Sequence, residues 1–316
     1  MLSLVVPVFK NQDSIPALLE VISGMGRSLD GQLEAVFVVD GSPDRCFEIL
    51  RDSLPGCGFR SKLLLLTRNF GSFSAVRAGL EAASGERFAV MAADLQEPPE
   101  LILEMDRVLR EEPIDVAIGT REAREDPLSV RIPARIFWGF YRRYIVADMP
   151  RGGVDIFGCS REFRDALLAL KESHSSLIAQ VFWLGFRRKY LTYVRRRREH
   201  GVSSWTARKR INYLMDSVFS FSDLPIRLLI RVGAGGVALS VVLGLAVLLA
   251  RFGGAIDVPG YTMTMVAILF FGALNLLGLG VVGSYAWRAY ENTKQRPLNV
   301  VLSCSEFNVR HLEEKS

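Results

Sequence analysis

Residues 2–119 alternate short apolar runs with stretches of helical spacing, and no other feature narrows the fold of this 316-residue chain so far. Runs rich in Val, Leu, Ile and Phe predict strands over 2–8, 35–39, 62–66, 88–91 and 116–119. The spacing between them predicts helices over 14–23, 43–54, 74–83 and 99–110. A strand, a helix and a second strand in succession lay the two strands parallel, with the helix packed on one face of the sheet. The expected fold class is therefore α/β, a mostly parallel sheet with helices on both faces. Ligands of such sheets gather at the carboxyl ends of the strands. Asp40, Arg68 and Asp94 each fall at or just after such an end.

The run from Val90 to Glu100 ends an apolar strand in an acidic loop. Asp94 and Gln96 at that tip suit a hard cation that itself holds phosphates, because Mg and Mn take few protein ligands and leave the rest to the substrate. Residues 126–152 are basic and aromatic, with Arg131, Arg135, Trp138, Tyr141, Arg142 and Arg143. A strand resumes over 154–157, and another is expected over 192–198, ending in the four consecutive arginines Arg195 to Arg198.

Residues 205–229 read as one or two amphipathic helices broken at Pro225, of the kind that lies in a headgroup plane. Residues 232–250 carry no charge and are long enough to span a bilayer core, and 258–287 is longer still. Only residues 251–257 separate the two, so a hairpin is expected. Arg227 and Arg231 before it, with Arg288, Lys294 and Arg296 after it, outnumber Arg251 in the turn. The excess of positive charge on cytosolic flanks then puts both termini and the N-terminal domain in the cytosol.

Composition agrees. Hydrophobic residues make up 49% of the chain, and a mean hydropathy of +0.21 is high for a wholly soluble protein. The net charge of +5 clusters beside the apolar spans, which favours membrane and phosphate over nucleic acid. Cys46, Cys57, Cys159 and Cys304 form no CxxC pair and read as reduced thiols, while His174, His200 and His311 lack ligand spacing. The apolar run at 2–8 has no basic stretch before it and reads as a first strand, not a signal peptide.

Five motifs follow in order: Pro7-Val8-Phe9, the run from Val38 to Asp44, Arg68-Asn69-Phe70-Gly71, the run from Ala93 to Glu100, and the run from Gly152 to Phe157. With the C-terminal hairpin they resemble the family 2 glycosyltransferases of GT-A fold. More narrowly, the chain looks like the polyprenyl-phosphate glycosyltransferases, the kind that includes dolichol-phosphate mannose synthase and the bactoprenol glucosyltransferases. The resemblance implies that Pro7, Phe9, Asn11, Asp40, Ala93, Asp94, Arg121 and Arg198 line the nucleotide-sugar site, and that Asp94 and Gln96 hold Mg or Mn. It implies Asp94 and Asp155 as catalytic residues and Arg131, Arg135 and Ser203 as contacts to the acceptor phosphate. The partners it implies are a UDP-linked hexose, undecaprenyl phosphate and the bacterial inner membrane, with self-association left open.

The domains expected are a cytosolic GT-A domain over 1–204, juxtamembrane helices over 205–229, a hairpin over 230–290 with spans near 232–250 and 262–287, and a cytosolic tail over 291–316. The chain departs from the family pattern in four places. Ala92 stands for the first carboxylate of the metal loop, Val39 for the first of two aspartates, Phe9-Lys10-Asn11 for Tyr-Asn-Glu, and Ser204 for the lysine of the Arg-x-x-Gly-x-Ser-Lys signature that Arg198 begins. These changes keep a second reading in play, a non-catalytic membrane-anchored scaffold that binds nucleotide or lipid and carries a degenerate metal loop.

Overall fold

A computed structural model describes residues 1–121, 137–150, 153–173, 175–196, 207–252 and 260–308. The first half is the expected alternation. Strands β1 (Leu2–Val8), β2 (Leu33–Val39), β3 (Arg60–Leu66) and β4 (Arg87–Val90) are separated by helices α1 (Ile15–Ser28), α2 (Cys46–Ser53) and α3 (Ser72–Ala82). Helix α4 (Pro99–Glu111) leads to β5 (Val116–Arg121), and residues 137–144 form α5. Then come β6 (Val154–Ser160), α6 (Arg161–Ala169), α7 (Leu177–Trp183), β7 (Arg188–Tyr193), α8 (Ala207–Phe221), α9 (Leu224–Phe252), α10 (Tyr261–Thr293) and β8 (Val301–Phe307).

The eight strands form one sheet in the order β7-β5-β6-β4-β1-β2-β3-β8. β1 runs parallel to β2 and β4, β2 to β3, and β5 to β7, whereas β6 opposes both β4 and β5, and β8 opposes β3. Strands β1–β5 and β7 therefore point one way, and their carboxyl ends share one edge.

Every residue of β2 is buried, as a strand covered on both faces must be. One apolar layer joins Leu18 and Ile22 of α1, Leu50 of α2 and Ile102 and Met105 of α4 to one face. The other joins Val76 and Leu80 of α3, Tyr141 of α5, Phe163 of α6 and Ile178 of α7 to the opposite face. Gly79 lets α3 lie close to the sheet, since a Cβ there would stand 2.3 Å from Val5 Cγ1.

Two differences from the sequence reading concern boundaries. The strand expected over 192–198 is β7, which pairs with β5 from Arg188↔Val116 to Tyr193↔Arg121 and ends before the arginine run. The sheet also takes an eighth strand from residues 301–307, which the sequence reading treats as tail. Val301–Phe307 is a short segment with three polar residues, and only its pairing with β3, from Ser61↔Phe307 to Leu66↔Val301, makes it a strand.

Helix α8 packs against the sheet domain through Tyr213, whose hydroxyl meets Ser176 Oγ at 3.0 Å and whose ring stacks on Tyr141 at 6.2 Å. Arg288 of α10 bonds Asp216 of α8 at 2.9 Å. Asn292 Oδ1 accepts from Ser173 N at 3.1 Å and from Ser173 Oγ at 2.8 Å. Among the described residues, one helical stretch, Phe270–Thr293, is long and apolar enough to cross a membrane.

Candidate active site

The shared edge of the strands collects the loops that the motifs single out. After β1, Lys10 adopts a left-handed φ of 57° and donates its N–H to Ser42 Oγ at 2.8 Å. Ser42 in turn donates to Asp44 Oδ1 at 2.6 Å, and Asp44 Oδ2 accepts from Gln12 N at 3.3 Å. Asn11 turns inward, its Oδ1 accepting from Phe9 N at 3.2 Å. The 9–12 and 42–46 loops are thus one bonded unit. Burial alone raises the Asp44 carboxyl, but hydrogen bonds from Cys46, Ser42 and Gln12 outweigh it and hold the group below the usual carboxylate range. Burial pushes the Cys46 thiol up to about 12, so it is a packing group and not a nucleophile.

Asp40 is buried at the end of β2, and its carboxylate accepts from Phe70 N at 2.7 Å and Gly71 N at 2.8 Å. Asn69 Nδ2 donates back to the Asp40 carbonyl at 3.2 Å. The residue expected to line the nucleotide site therefore holds the 68–71 loop at the start of α3. Gly41 makes that contact feasible: its φ is +57°, and a Cβ would lie 2.3 Å from the Arg68 carbonyl carbon. On the same loop the Arg68 guanidinium stacks over the Phe70 ring at 4.0 Å.

After β4, the acidic loop makes an Asx-type turn. Gln96 N donates to Asp94 Oδ1 at 3.4 Å across Leu95, which takes a left-handed φ of 55°. Ser14 Oγ donates to the Ala93 carbonyl at 2.9 Å, tying the loop to the start of α1. Glu97 is buried and accepts from Ala92 N at 3.3 Å, a brace that the sequence reading did not single out. Asp94 and Gln96 remain the loop's oxygen donors, hard ligands of the type that Mg or Mn takes. Among the described residues no three His, Cys, Asp or Glu side chains converge as a cage.

The far side of the edge belongs to β5, β6 and β7. Arg121 ends β5 opposite Tyr193 and lines a cavity of 710 Å³ together with Asp148, Arg188 and Tyr190. Arg188 Nη2 and Tyr190 Oη both donate to Asp148, at 3.1 Å and 3.2 Å. Asp155 follows Val154, which pairs with Thr120, so its backbone reaches the same edge; its side chain lies outside the description. Beyond β7 the chain turns back over the acidic loop, where Arg196 N donates to the Gln96 carbonyl at 2.9 Å. Arg195 and Arg196 thus join Gln96 of the acidic loop, a proximity that only the general basic run at 195–198 hinted at. Arg131, Arg135, Arg198 and Ser203 lie outside the described residues. Pro7 sits within β1 opposite Val38.

Comparison with known proteins identifies the family. Residues 3–170 match the family described as Glycosyl transferase family 2. The chain is 31% identical to the glycosyltransferase CsbB of Bacillus subtilis over 94% of its own length and 90% of that protein's. It is 32% identical to the undecaprenyl-phosphate 4-deoxy-4-formamido-L-arabinose transferase of Pseudomonas paraeruginosa, over 94% of this chain and 88% of that one. Among solved structures, glucosyl-3-phosphoglycerate synthase of Mycobacterium tuberculosis superposes with a TM-score of 0.45 at 19% identity, covering 69% of this chain and 80% of that one. A family match that starts in β1 and runs through the acidic loop to α6, with relatives matched almost end to end, makes this chain a glycosyltransferase that belongs to glycosyl transferase family 2.

Proposed function

We propose that the protein moves a hexose from a nucleotide-sugar, UDP-linked, to a polyprenyl phosphate such as undecaprenyl phosphate at the cytosolic membrane face. One observation carries this: the acidic loop is bonded to the end of β7, from which the chain proceeds to α8 and the apolar helices α9 and α10. That arrangement supports a phosphate-handling crevice that works beside a lipid phase. The transferase of Pseudomonas paraeruginosa, whose printed name specifies undecaprenyl phosphate, supports the choice of acceptor.

In the reaction, an oxygen of the lipid phosphate attacks the anomeric carbon and the bond to the donor's diphosphate breaks. The nucleoside diphosphate leaves with the electron pair, so a single displacement inverts the anomeric centre. A phosphate monoester has a second pKa of about 6 and is largely dianionic at neutral pH, so the nucleophile needs little help from a base. Asp155 then orients acceptor or sugar hydroxyls. The leaving group gathers charge that must be neutralised. Asp94 and Gln96 would hold Mg or Mn, which when bound supplies Lewis-acid stabilisation of that charge. Pro7, Phe9, Asn11 and Ala93 shape the nucleotide end of the crevice, held by the Asp40 and Asp44 loops. In this reading Arg121 and Arg198 bind donor phosphate, and Arg131, Arg135 and Ser203 bind the lipid phosphate.

The pairing of β8 with β3 supports a hairpin topology. Residues on both sides of α9 and α10 belong to one sheet, so the chain between them crosses a membrane an even number of times. With spans in α9 and α10, both ends stay on the cytosolic side of the bacterial inner membrane. Purified protein supplied with labelled nucleotide sugars, undecaprenyl phosphate and Mn is expected to form an acid-labile, solvent-extractable lipid product. Transfer confined to water or to a soluble acceptor would overturn the proposal.

A further inference from the structure

The end of β7 grips the acidic loop through an atom that a divalent cation would also use. Arg195 Nη2 donates to Gln96 Oε1 at 2.5 Å, and Gln96 Nε2 donates to the Arg196 carbonyl at 3.3 Å. These hold both ends of the Gln96 side-chain amide, while Arg196 N donates to the Gln96 backbone carbonyl. Arg196 also faces Glu100 at 3.5 Å on the exposed rim. Position 92, which the family resemblance equips with a carboxylate, is Ala92. The loop therefore lacks one negative group, and a guanidinium sits against one of the two oxygen donors that it keeps.

We propose that Arg195 is a donor-site cation that contacts the nucleotide-sugar's diphosphate and shares Gln96 with the metal. A guanidinium forks onto phosphate oxygens through paired N–H donors and stays charged at every working pH. It thus supplies part of the neutralisation that the leaving group requires. It also raises the local positive charge and occupies Oε1, which weakens the hold on a divalent cation. Arg195 strengthens binding of the diphosphate and opposes binding of the metal. A purely structural clasp would lack this pair of opposite effects.

The inference rests on the reading of the crevice as a nucleotide-sugar site, and calorimetric titration of the full-length, detergent-solubilised protein with UDP and GDP over a series of Mn concentrations separates the two. A wild-type protein that binds neither nucleotide removes the underlying reading. Given wild-type binding, Arg195→Ala should weaken the nucleotide about tenfold at saturating Mn, as expected for loss of a charge-assisted hydrogen bond. The same variant should lower the Mn concentration that half-saturates nucleotide binding. Arg195→Lys keeps the charge but loses the paired donors and should bind nucleotide between wild type and Arg195→Ala. Gln96→Ala, which removes the shared oxygen but keeps Arg195, should raise the half-saturating Mn concentration. Arg195→Ala with unchanged nucleotide affinity, or with both ligands weakened in parallel alongside a lower Tm, would show a clasp and nothing more. Should that variant fail to fold, a loss of affinity in Arg195→Lys equal to that of a neutral Arg195→Gln would overturn the proposal.

Discussion

At the scale of single residues, Gly41 makes the most exposed demand of the site. Alanine there would meet the Arg68 carbonyl carbon at 2.3 Å on a backbone with φ of +57°. Gly41→Ala should cost about 2–4 kcal/mol, from left-handed strain plus a clash with backbone that cannot step aside. Chemical denaturation checks the stability, and a raised KM for the nucleotide sugar should accompany it as the 68–71 loop shifts. Asp44 adds a pH dependence. Its carboxyl is held below the usual range, so the bonded loops gain their full stability from it above about pH 4 and lose it as the pH falls through the lower folded-state value. Asp44→Asn should flatten the acid limb of a plot of Tm against pH, and an unchanged limb would refute the assignment. The motifs expose Asp40, Asp94 and Gln96 in the sequence because strand ends are local signals. What Asp40 bonds was not legible, since Phe70 and Gly71 lie some thirty residues away, beyond a helix and a strand.

Among the secondary-structure elements, Arg77 shows how a buried charge is used for architecture. Only 7% exposed on α3, it donates to the carbonyls of Leu167 at 3.1 Å, Leu168 at 3.1 Å and Leu170 at 2.5 Å. Those are the last carbonyls of α6 and its cap, of which Leu167 also accepts from the Leu170 N–H, and they lie at the negative end of the helix dipole. Arg77→Met should therefore destabilise the protein by roughly 3 kcal/mol or more, by stranding buried acceptors. Donor and acceptor KM should stay near wild type in the fraction that folds. Apolar periodicity placed β1 to β5 and α1 to α4 in the sequence, because each is defined by its own inward face. It misjudged β7, since its inward-facing Leu191 and Tyr193 alternate with basic and polar residues, and the arginines that follow resemble a strand face only in composition.

For the whole molecule, the partnership of β3 and β8 decides the topology test. Cys304 is exposed on β8, so a membrane-impermeant maleimide should label it in opened vesicles or lysed cells and leave it unlabelled in intact spheroplasts. Labelling from outside would refute the hairpin. Strand β8 was not legible for a reason of distance: Ser61 and Phe307 pair across most of the chain, and no local pattern records such a partner. The same pairing sets an order of assembly. Strands β1 to β7 are synthesised before the apolar helices α9 and α10, but the outer edge of β3 stays open until residues 301–307 emerge after them. On the proposed topology, a chain whose helices stopped in the wrong orientation would carry β8 to the far side and leave its own sheet edge unsealed.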